Sequence, residues 1–399
     1  MTAISTKATQ RRASSAAKPR SSARSTTDPG RTTFLLLGAV VATLLVIGLV
    51  MVLSASSVQA LKELGSKWSY FIRHATWLVL GAVAMVVTGS VPYRRWRRFA
   101  LTLLLVSGVL LVLVLVPGLG LRVNGARSWL GLGSFTVQPS ELAKLALILF
   151  LAELLSRRAS AVADSRLTLR PVLVVGAVLT GLVMLQPDLG TTIVLGSLVL
   201  AMLFVAGVPL FQLALTTVLA SGAALTLALR RSYRRERILA FLDPSTDPGG
   251  IRYQINQSLS GVASGKFTGV GLGASRSKWG FLPNAHTDFI FAIIGEELGL
   301  LGTTAVVGLF LGFAVLGTRA ALHAPDRFGT LVAAGITAWI MTQALVNIGG
   351  TIGLLPITGL TLPYVSFGGT SLVVTMAATG VLLNIARAGV VRRNSLQLA

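Results

Sequence analysis

The 399-residue chain has no cysteine, three histidines and only 13 acidic residues against 35 lysines and arginines. Without cysteine there are no disulfides and no thiolate chemistry, and His74, His286 and His323 are too scattered for a zinc site. Charged residues make up just 12% of the chain and hydrophobic ones 53%, with a mean hydropathy of +0.77, which excludes a soluble globular protein. There is no Gly-x-Ser-x-Gly elbow and no His-Glu-x-x-His pair. Gly261 to Lys266 has a P-loop-like spacing, but a residue is missing and Phe267 stands where Ser or Thr is required. The net charge of +22 does not mark a nucleic-acid binder, because the basic residues punctuate apolar runs and no aromatic-interleaved groove motif accompanies them.

What the chain does have is apolar runs, each long enough to cross about 30 Å of hydrocarbon. In lipid the backbone must bond within each segment, so the runs are expected to be helices. The expected fold is an all-α polytopic integral membrane protein with about ten transmembrane helices. They are placed near 34–54, 75–91, 99–116, 140–156, 171–186, 189–206, 208–229, 288–314, 329–349 and 370–387. A basic tail over 1–31 is too polar to bury a core and is expected to be disordered, lying against anionic lipid or docking a cytoplasmic partner. A membrane domain over 32–390 and a short C-terminal tail over 391–399 complete the chain. Short basic loops at Arg94–Arg98 and Arg157–Arg170 put both termini in the cytoplasm. The run Arg230–Arg237 then falls outside, between spans seven and eight. Either it faces something anionic or it is a solvated extension of span seven. The large loop that follows, and a Pro/Gly-rich stretch from Leu355 to Thr370 that suggests a re-entrant hairpin before span ten, carry most of the external polar residues.

The densest chemistry lies between Leu282 and Gly299, where Asp288, Glu296 and Glu297 fall within one apolar segment. A carboxylate in or beside hydrocarbon is costly unless paired or wetted, and by default it marks function. Asp288, beside His286, is either a helix N-cap or a general base or binding group at headgroup level. Glu296 is about 12 Å further along a helix, too far for the ~5 Å carboxylate pair of a retaining glycosidase, so any sugar chemistry is expected to be single-displacement. Glu296 and Glu297 are expected to bond other helices or loop amides. Glu141 and Lys144, one helical turn apart with Ser140 placed to cap, form either a local ion pair or a polar cavity wall. Asp188 is expected to cap span six. The glycine-rich loop with Lys266, Arg276 and Lys278 could hold a phosphate through backbone amides and charge, and a merely flexible loop fits it equally well.

Read in order, Asn124-Gly-Ala-Arg-Ser-Trp129, Gln138-Pro-Ser-Glu-Leu-Ala-Lys144, Gln186-Pro-Asp-Leu-Gly-Thr191, the arginine run ending at Phe241-Leu-Asp-Pro244, Leu282–Gly299 and Leu355–Leu372 closely resemble the SEDS (shape, elongation, division and sporulation) family of integral-membrane peptidoglycan polymerases. The Gly295-Glu-Glu-Leu-Gly299 form and the approach Asn347-Ile-Gly-Gly350 look more like division-type than elongation-type members. The resemblance implies a glycosyltransferase that polymerises lipid II at the outer face of the bacterial cytoplasmic membrane, at the division septum. Asp288 would be the base for the acceptor sugar hydroxyl, which attacks with inversion and expels undecaprenyl pyrophosphate. It makes Trp129, Glu141 and Lys144 functionally important, adds His286 and Ser366 to the cavity, and makes Arg234, Arg237, Lys266 and Lys278 candidates for the pyrophosphate. A divalent cation, Mg or Mn, could assist the leaving group, although no dedicated metal cage is visible. Implied partners are a class B penicillin-binding transpeptidase and other division proteins, with no nucleic acid. The chain departs from many relatives at Asn284, where they carry Glu, which removes a second carboxylate there. A lipid II flippase and a non-catalytic division scaffold remain the alternatives.

Overall fold

The structure, a computed structural model, describes residues 29–123, 126–132, 135–229 and 250–397. Its helices are α1 (Pro29–Leu64), α2 (Ser69–Ser90), α3 (Trp96–Leu115), α4 (Pro139–Arg157), α5 (Arg170–Leu185), α6 (Leu189–Ala206), α7 (Leu210–Leu229), α8 (Ile251–Ser264), α9 (Ile290–Leu322), α10 (Arg327–Thr351) and α11 (Thr370–Gln397). Each expected span is helical, and eight of the described helices are long and apolar enough to cross a membrane. Of the other two, α4 carries Glu141, Lys144 and Glu153 in its apolar run, and α7 is a 20-residue helix without a single charged residue.

The all-α expectation needs one correction. Residues 120–137 hold a three-stranded antiparallel sheet, β1 (Gly120–Val123), β2 (Ala126–Leu132) and β3 (Phe135–Val137), in the order β1-β2-β3. Leu121 pairs with Trp129 and Leu130 with Val137. At the end of a bundle the exposed backbone needs partners, and short hairpins supply them without a crossover.

Burial sorts the helices. In α10 and α11, 67% of the spanning window is buried, against 17% in α2 and 28% in α3. The former sit at the centre with α4 and α6, and the latter present Val79, Val83, Leu101 and Leu105 outward. α2 nonetheless packs tightly on α11: Thr88 Oγ1 donates to Ala377 O at 2.7 Å, and a Cβ on Gly380 would come 2.2 Å from Met85 O. Close approach through small residues with a cross-helix hydrogen bond is how helices associate where lipid removes the hydrophobic incentive.

The loops sort to the two ends. At one, Tyr93 N donates to Asn384 Oδ1 at 2.9 Å, Arg97 pairs with Glu153 at 2.7 Å, and Gln212 Nε2 donates to Ala163 O at 3.1 Å. At the other, Gln138 Nε2 donates to Asp188 Oδ2 at 3.3 Å, Thr370 Oγ1 to Thr136 O at 2.9 Å, and Ser258 Oγ to Thr351 O at 2.7 Å. The short basic loops form the first end, and the loops singled out for polar motifs form the second.

Candidate functional site

At that second end the chain from Asn284 to Phe289 makes a tight turn. Asn284 adopts a left-handed φ of 56°, and its carbonyl accepts from the amides of Thr287 and Asp288 at 3.1 Å and of Phe289 at 3.3 Å. α9 begins only at Ile290 with Phe289 in the capping position, so Asp288 is not the helix cap but a member of the turn before it. Three consecutive carbonyls of this turn are held from outside it. His286 O accepts from Phe367 N at 3.0 Å, Thr287 O from Ser366 Oγ at 2.6 Å, and Asp288 O from Asn347 Nδ2 at 2.8 Å. A turn bonded at three successive residues has little freedom to move its side chains. Asp288, half-buried, lines a shallow cleft whose other walls are Asn347, Gly350 and Thr351 of α10 and Ile357–Leu360 of the following segment.

Asn347 joins the walls, because its Nδ2 also donates to Leu360 O at 2.7 Å. Two carbonyl oxygens at such distances admit only the amide NH₂ on that side, which settles the orientation of the group. One turn earlier Gln343 repeats the device, with Nε2 donating to Thr361 O at 3.0 Å. Its Oε1 accepts from Lys144 Nζ at 2.9 Å and Trp339 Nε1 at 3.0 Å. Lys144, fully buried, pairs with Glu141 at 2.7 Å and lies 4.9 Å from the centre of the Trp339 ring. The Glu141–Lys144 pair is thus tied to segment 355–361 through Gln343 rather than being a surface pair. A buried ion pair survives only with its remaining valences met, and Gln343 and the indole face do that for the ammonium.

The expected cap of α4 is not Ser140. Gln138 holds the N-cap position, and Ser140 sits inside the helix with its hydroxyl buried. Pro139 explains the shift, since proline is preorganised for a first helical turn. Asp188 does cap α6, accepting from Thr191 N at 2.9 Å and Thr191 Oγ1 at 2.8 Å. Burial pushes its carboxyl above the usual aspartate value, and the Thr191 bonds act against that push.

The remaining candidates scatter. His286 is buried against Tyr70, ring centres 4.8 Å apart, and Phe367 at 5.7 Å, and burial pulls its pKa from 6.5 down to about 4. Ser366 accepts from Leu362 N at 2.8 Å while it holds Thr287, so it is a brace within the turn. Trp129 is half-buried on β2. Lys266 is exposed. Lys278 is buried, bonded to Gly273 O at 2.5 Å and paired with Glu297 at 3.3 Å. Arg234 and Arg237 lie outside the described residues. Among those that are described, no group of three or more His, Asp or Glu could hold a metal ion. Glu296 and Glu297 bond loop groups and another helix as expected: Glu296 accepts from Ser275 Oγ at 2.6 Å and Arg276 N at 2.8 Å, and Glu297 from Ser54 Oγ of α1 at 2.7 Å. Sequence reasoning missed Asn347 and Gln343 as site residues. Two amides four apart on an apolar helix, with a Pro/Gly-rich segment following, were the available signal.

A family model described as cell cycle protein, and named for FtsW, RodA and SpoVE, matches residues 34–389. Stage V sporulation protein E of Bacillus subtilis (strain 168) is 42% identical over 355 residues, which cover 88% of this chain and 96% of that protein. The "Probable peptidoglycan glycosyltransferase FtsW" of Mycobacterium tuberculosis is 42% identical over 358 residues, 89% of this chain and 68% of the relative. Among solved structures, one described as "Structural coordination of polymerization and crosslinking by a peptidoglycan synthase complex" superposes with a TM-score of 0.72 at 30% identity, covering 90% of this chain and 98% of the other.

Proposed function

The chain belongs to the FtsW, RodA and SpoVE family of cell-cycle proteins, and from that membership we propose that it is a peptidoglycan glycosyltransferase of the bacterial cytoplasmic membrane, polymerising lipid II for septal wall. Ten helices cross the bilayer, the eight that composition identifies together with α4 and α7. Both termini lie in the cytoplasm, the end bearing the Asp288 cleft faces outward, and residues 352–369 form a re-entrant hairpin. A Cβ on Gly48, well inside α1, would come 2.5 Å from Tyr364 O, which supports that hairpin reading.

Asp288 is the general base. It takes the proton of the acceptor sugar 4-hydroxyl as that oxygen bonds to the anomeric carbon of the lipid-linked glycan. The anomeric carbon–oxygen bond to pyrophosphate breaks with inversion, and the undecaprenyl pyrophosphate departs with the bonding pair. The observation that carries this role is the triple carbonyl clamp, which holds half-buried Asp288 by its backbone at the rim of a cleft, in the turn that precedes α9. Glu141, Lys144 and Gln343 shape the inner wall, and Trp129, His286 and Ser366 position the loops around it. For the pyrophosphate, Lys266, Arg234 and Arg237 remain the cationic candidates. Lys278 is better placed to lock the loop than to meet a ligand, given its burial against Glu297. The described residues offer no cluster of three or more His, Asp or Glu that could hold a metal ion. A class B penicillin-binding transpeptidase is the partner that would crosslink the product, alongside other division proteins.

The test is glycan-strand formation from purified lipid II in detergent by wild type, Asp288→Asn and Asp288→Ala, each with and without the cognate transpeptidase. Polymer from wild type alone, with all three proteins eluting as the same monodisperse species, is the expected result. Polymer from the variants would remove Asp288 as base, and none under any condition would favour a flippase, which lipid II translocation in liposomes would then address.

A further inference from the structure

α9 is interrupted. Gly299 has φ 63° and ψ −158°, a region open essentially to glycine alone, and the break frees helix carbonyls on one side and amides on the other. Segment 266–271 takes up all four. Val270 N donates to Glu296 O at 2.9 Å and Gly271 N to Glu297 O at 3.1 Å, while Leu300 N donates to Lys266 O at 2.9 Å and Leu301 N to Phe267 O at 3.2 Å. The loop is therefore bonded into the flank of a membrane helix, not suspended above it. The fit requires glycine on both partners, since a Cβ on Gly269 would come 2.1 Å from Glu297 O and one on Gly299 2.4 Å from Gly269 N.

Helix rise gives the depth of this joint. Gly299 stands about 34 Å along α9 from Leu322, and Ser54, which bonds Glu297, about 30 Å along α1 from Phe34, where the apolar run begins. Asn347, which holds Asp288, stands about 30 Å along α10 from Arg327. A hydrocarbon slab about 30 Å thick that starts at one end of the bundle ends at this joint.

At that level the loop exposes large apolar side chains: Phe267 at 61%, Val270 at 45%, Leu272 at 61%, Trp279 at 59% and Phe281 at 55%. Between Ile251 and Thr287 there is no acidic residue, and Lys266 and Arg276 are exposed beside the apolar group. Exposed aromatics at a hydrocarbon edge, with cations and no carboxylates next to them, match the belt that membrane proteins present to acyl chains and lipid phosphates. We infer that residues 266–281 are a lipid-embedded collar: Phe267, Val270, Leu272, Trp279 and Phe281 insert among the lipids of the leaflet nearest Asp288, and Lys266 and Arg276 reach its phosphates. Through the four bonds to α9 and the bonds of Glu296 and Glu297, the collar fixes the height of the α9 N-terminus, and with it Asp288, relative to the bilayer.

The absence of native cysteine permits a direct test. Phe267→Cys, Leu272→Cys and Phe281→Cys each create a single site for a nitroxide on the full chain, reconstituted in nanodiscs of phosphatidylethanolamine and phosphatidylglycerol. Accessibility to oxygen, which concentrates in hydrocarbon, is compared with that to a water-soluble nickel chelate. Val83→Cys on the outward face of α2 is the lipid reference and Ser66→Cys in the α1–α2 turn the aqueous one. The collar predicts oxygen exceeding the chelate at all three positions, as at Val83. Chelate exceeding oxygen, as at Ser66, would overturn it and leave the patch open to a protein partner. Any two positions on correctly eluting protein decide the matter, so failure of one variant to fold does not.

Discussion

Replacing Asn347 by aspartate changes one NH₂ to oxygen at constant volume, and it separates a positioning role from a packing one. The wild-type amide donates to Asp288 O at 2.8 Å and Leu360 O at 2.7 Å in a site where Asn347 is 4% exposed. Without the donor two buried carbonyls are left unpaired, at about 1–3 kcal/mol each, or roughly 2–6 kcal/mol together. Most of that range lies below a typical folding stability of about 5–15 kcal/mol, so much of the protein should remain folded and its activity measurable. The effect on rate should be larger than a loss of folded fraction explains, because a displacement of about 1 Å at a reacting group can cost about 100-fold. Asn347→Asp is therefore expected to polymerise lipid II about 100-fold more slowly per folded molecule. Asn347→Leu should lose the same two bonds without placing a carboxylate against two carbonyls. Relative to wild type, raising the pH should worsen the aspartate variant, whose protonated form can still donate once, and leave the leucine variant's rate ratio unchanged. The assay is the initial rate of strand formation at several pH values, normalised to the monodisperse fraction, with thermal unfolding in the same detergent. An aspartate variant within about twofold of wild type in rate (about 0.4 kcal/mol) and unchanged in melting midpoint would refute the clamp.

Three further outcomes follow from other parts of the structure. Lys278→Met leaves Glu297, fully buried, without its cation, and should destabilise by about 3–5 kcal/mol in thermal unfolding, with Lys278→Met/Glu297→Gln recovering much of the loss. Gly299→Ala should lose about 1–3 kcal/mol to backbone strain and speed hydrogen exchange across 266–271, while unchanged exchange there would deny that the loop depends on the break. His286 has a folded pKa of about 4 against 6.5, so the unfolded chain binds its proton first. Its contribution is complete above pH 6.5 and falls away as the pH drops toward 4, and His286→Gln should flatten the stability profile within that window.

Hydropathy is a local property, and for that reason the spans, the membrane class and the polarity of the loops were legible residue by residue. The Asp188 cap and the loop bonds of Glu296 and Glu297 followed from equally local rules, because a carboxylate at a helix start or in hydrocarbon has few ways to be satisfied. The sheet over 120–137 was not legible, since strands of three to seven residues show too little alternation to stand out from a loop. Nor was the α9 break: Glu296-Glu-Leu-Gly-Leu-Leu301 reads as continuous helix, and only the docked segment 266–271 compensates for interrupting it. Ser140 was misjudged as a cap because Pro139 starts the helix two residues sooner than a cap at Ser140 would.

By itself, then, the sequence determined that this is a helical membrane protein with a carboxylate at one mouth of the bundle, because burial of apolar runs and the cost of charge in lipid act on each segment separately. Which distant groups hold the turn that carries that carboxylate, and the loops around it, was decided only by the tertiary structure. Asn347 lies 59 residues from Asp288, Ser366 79 from Thr287 and Thr370 234 from Thr136. No local preference distinguishes an amide or hydroxyl that will meet such a partner from one that will not. The packing of α9, α10 and the 352–369 segment makes that choice, by leaving each buried carbonyl one donor within reach.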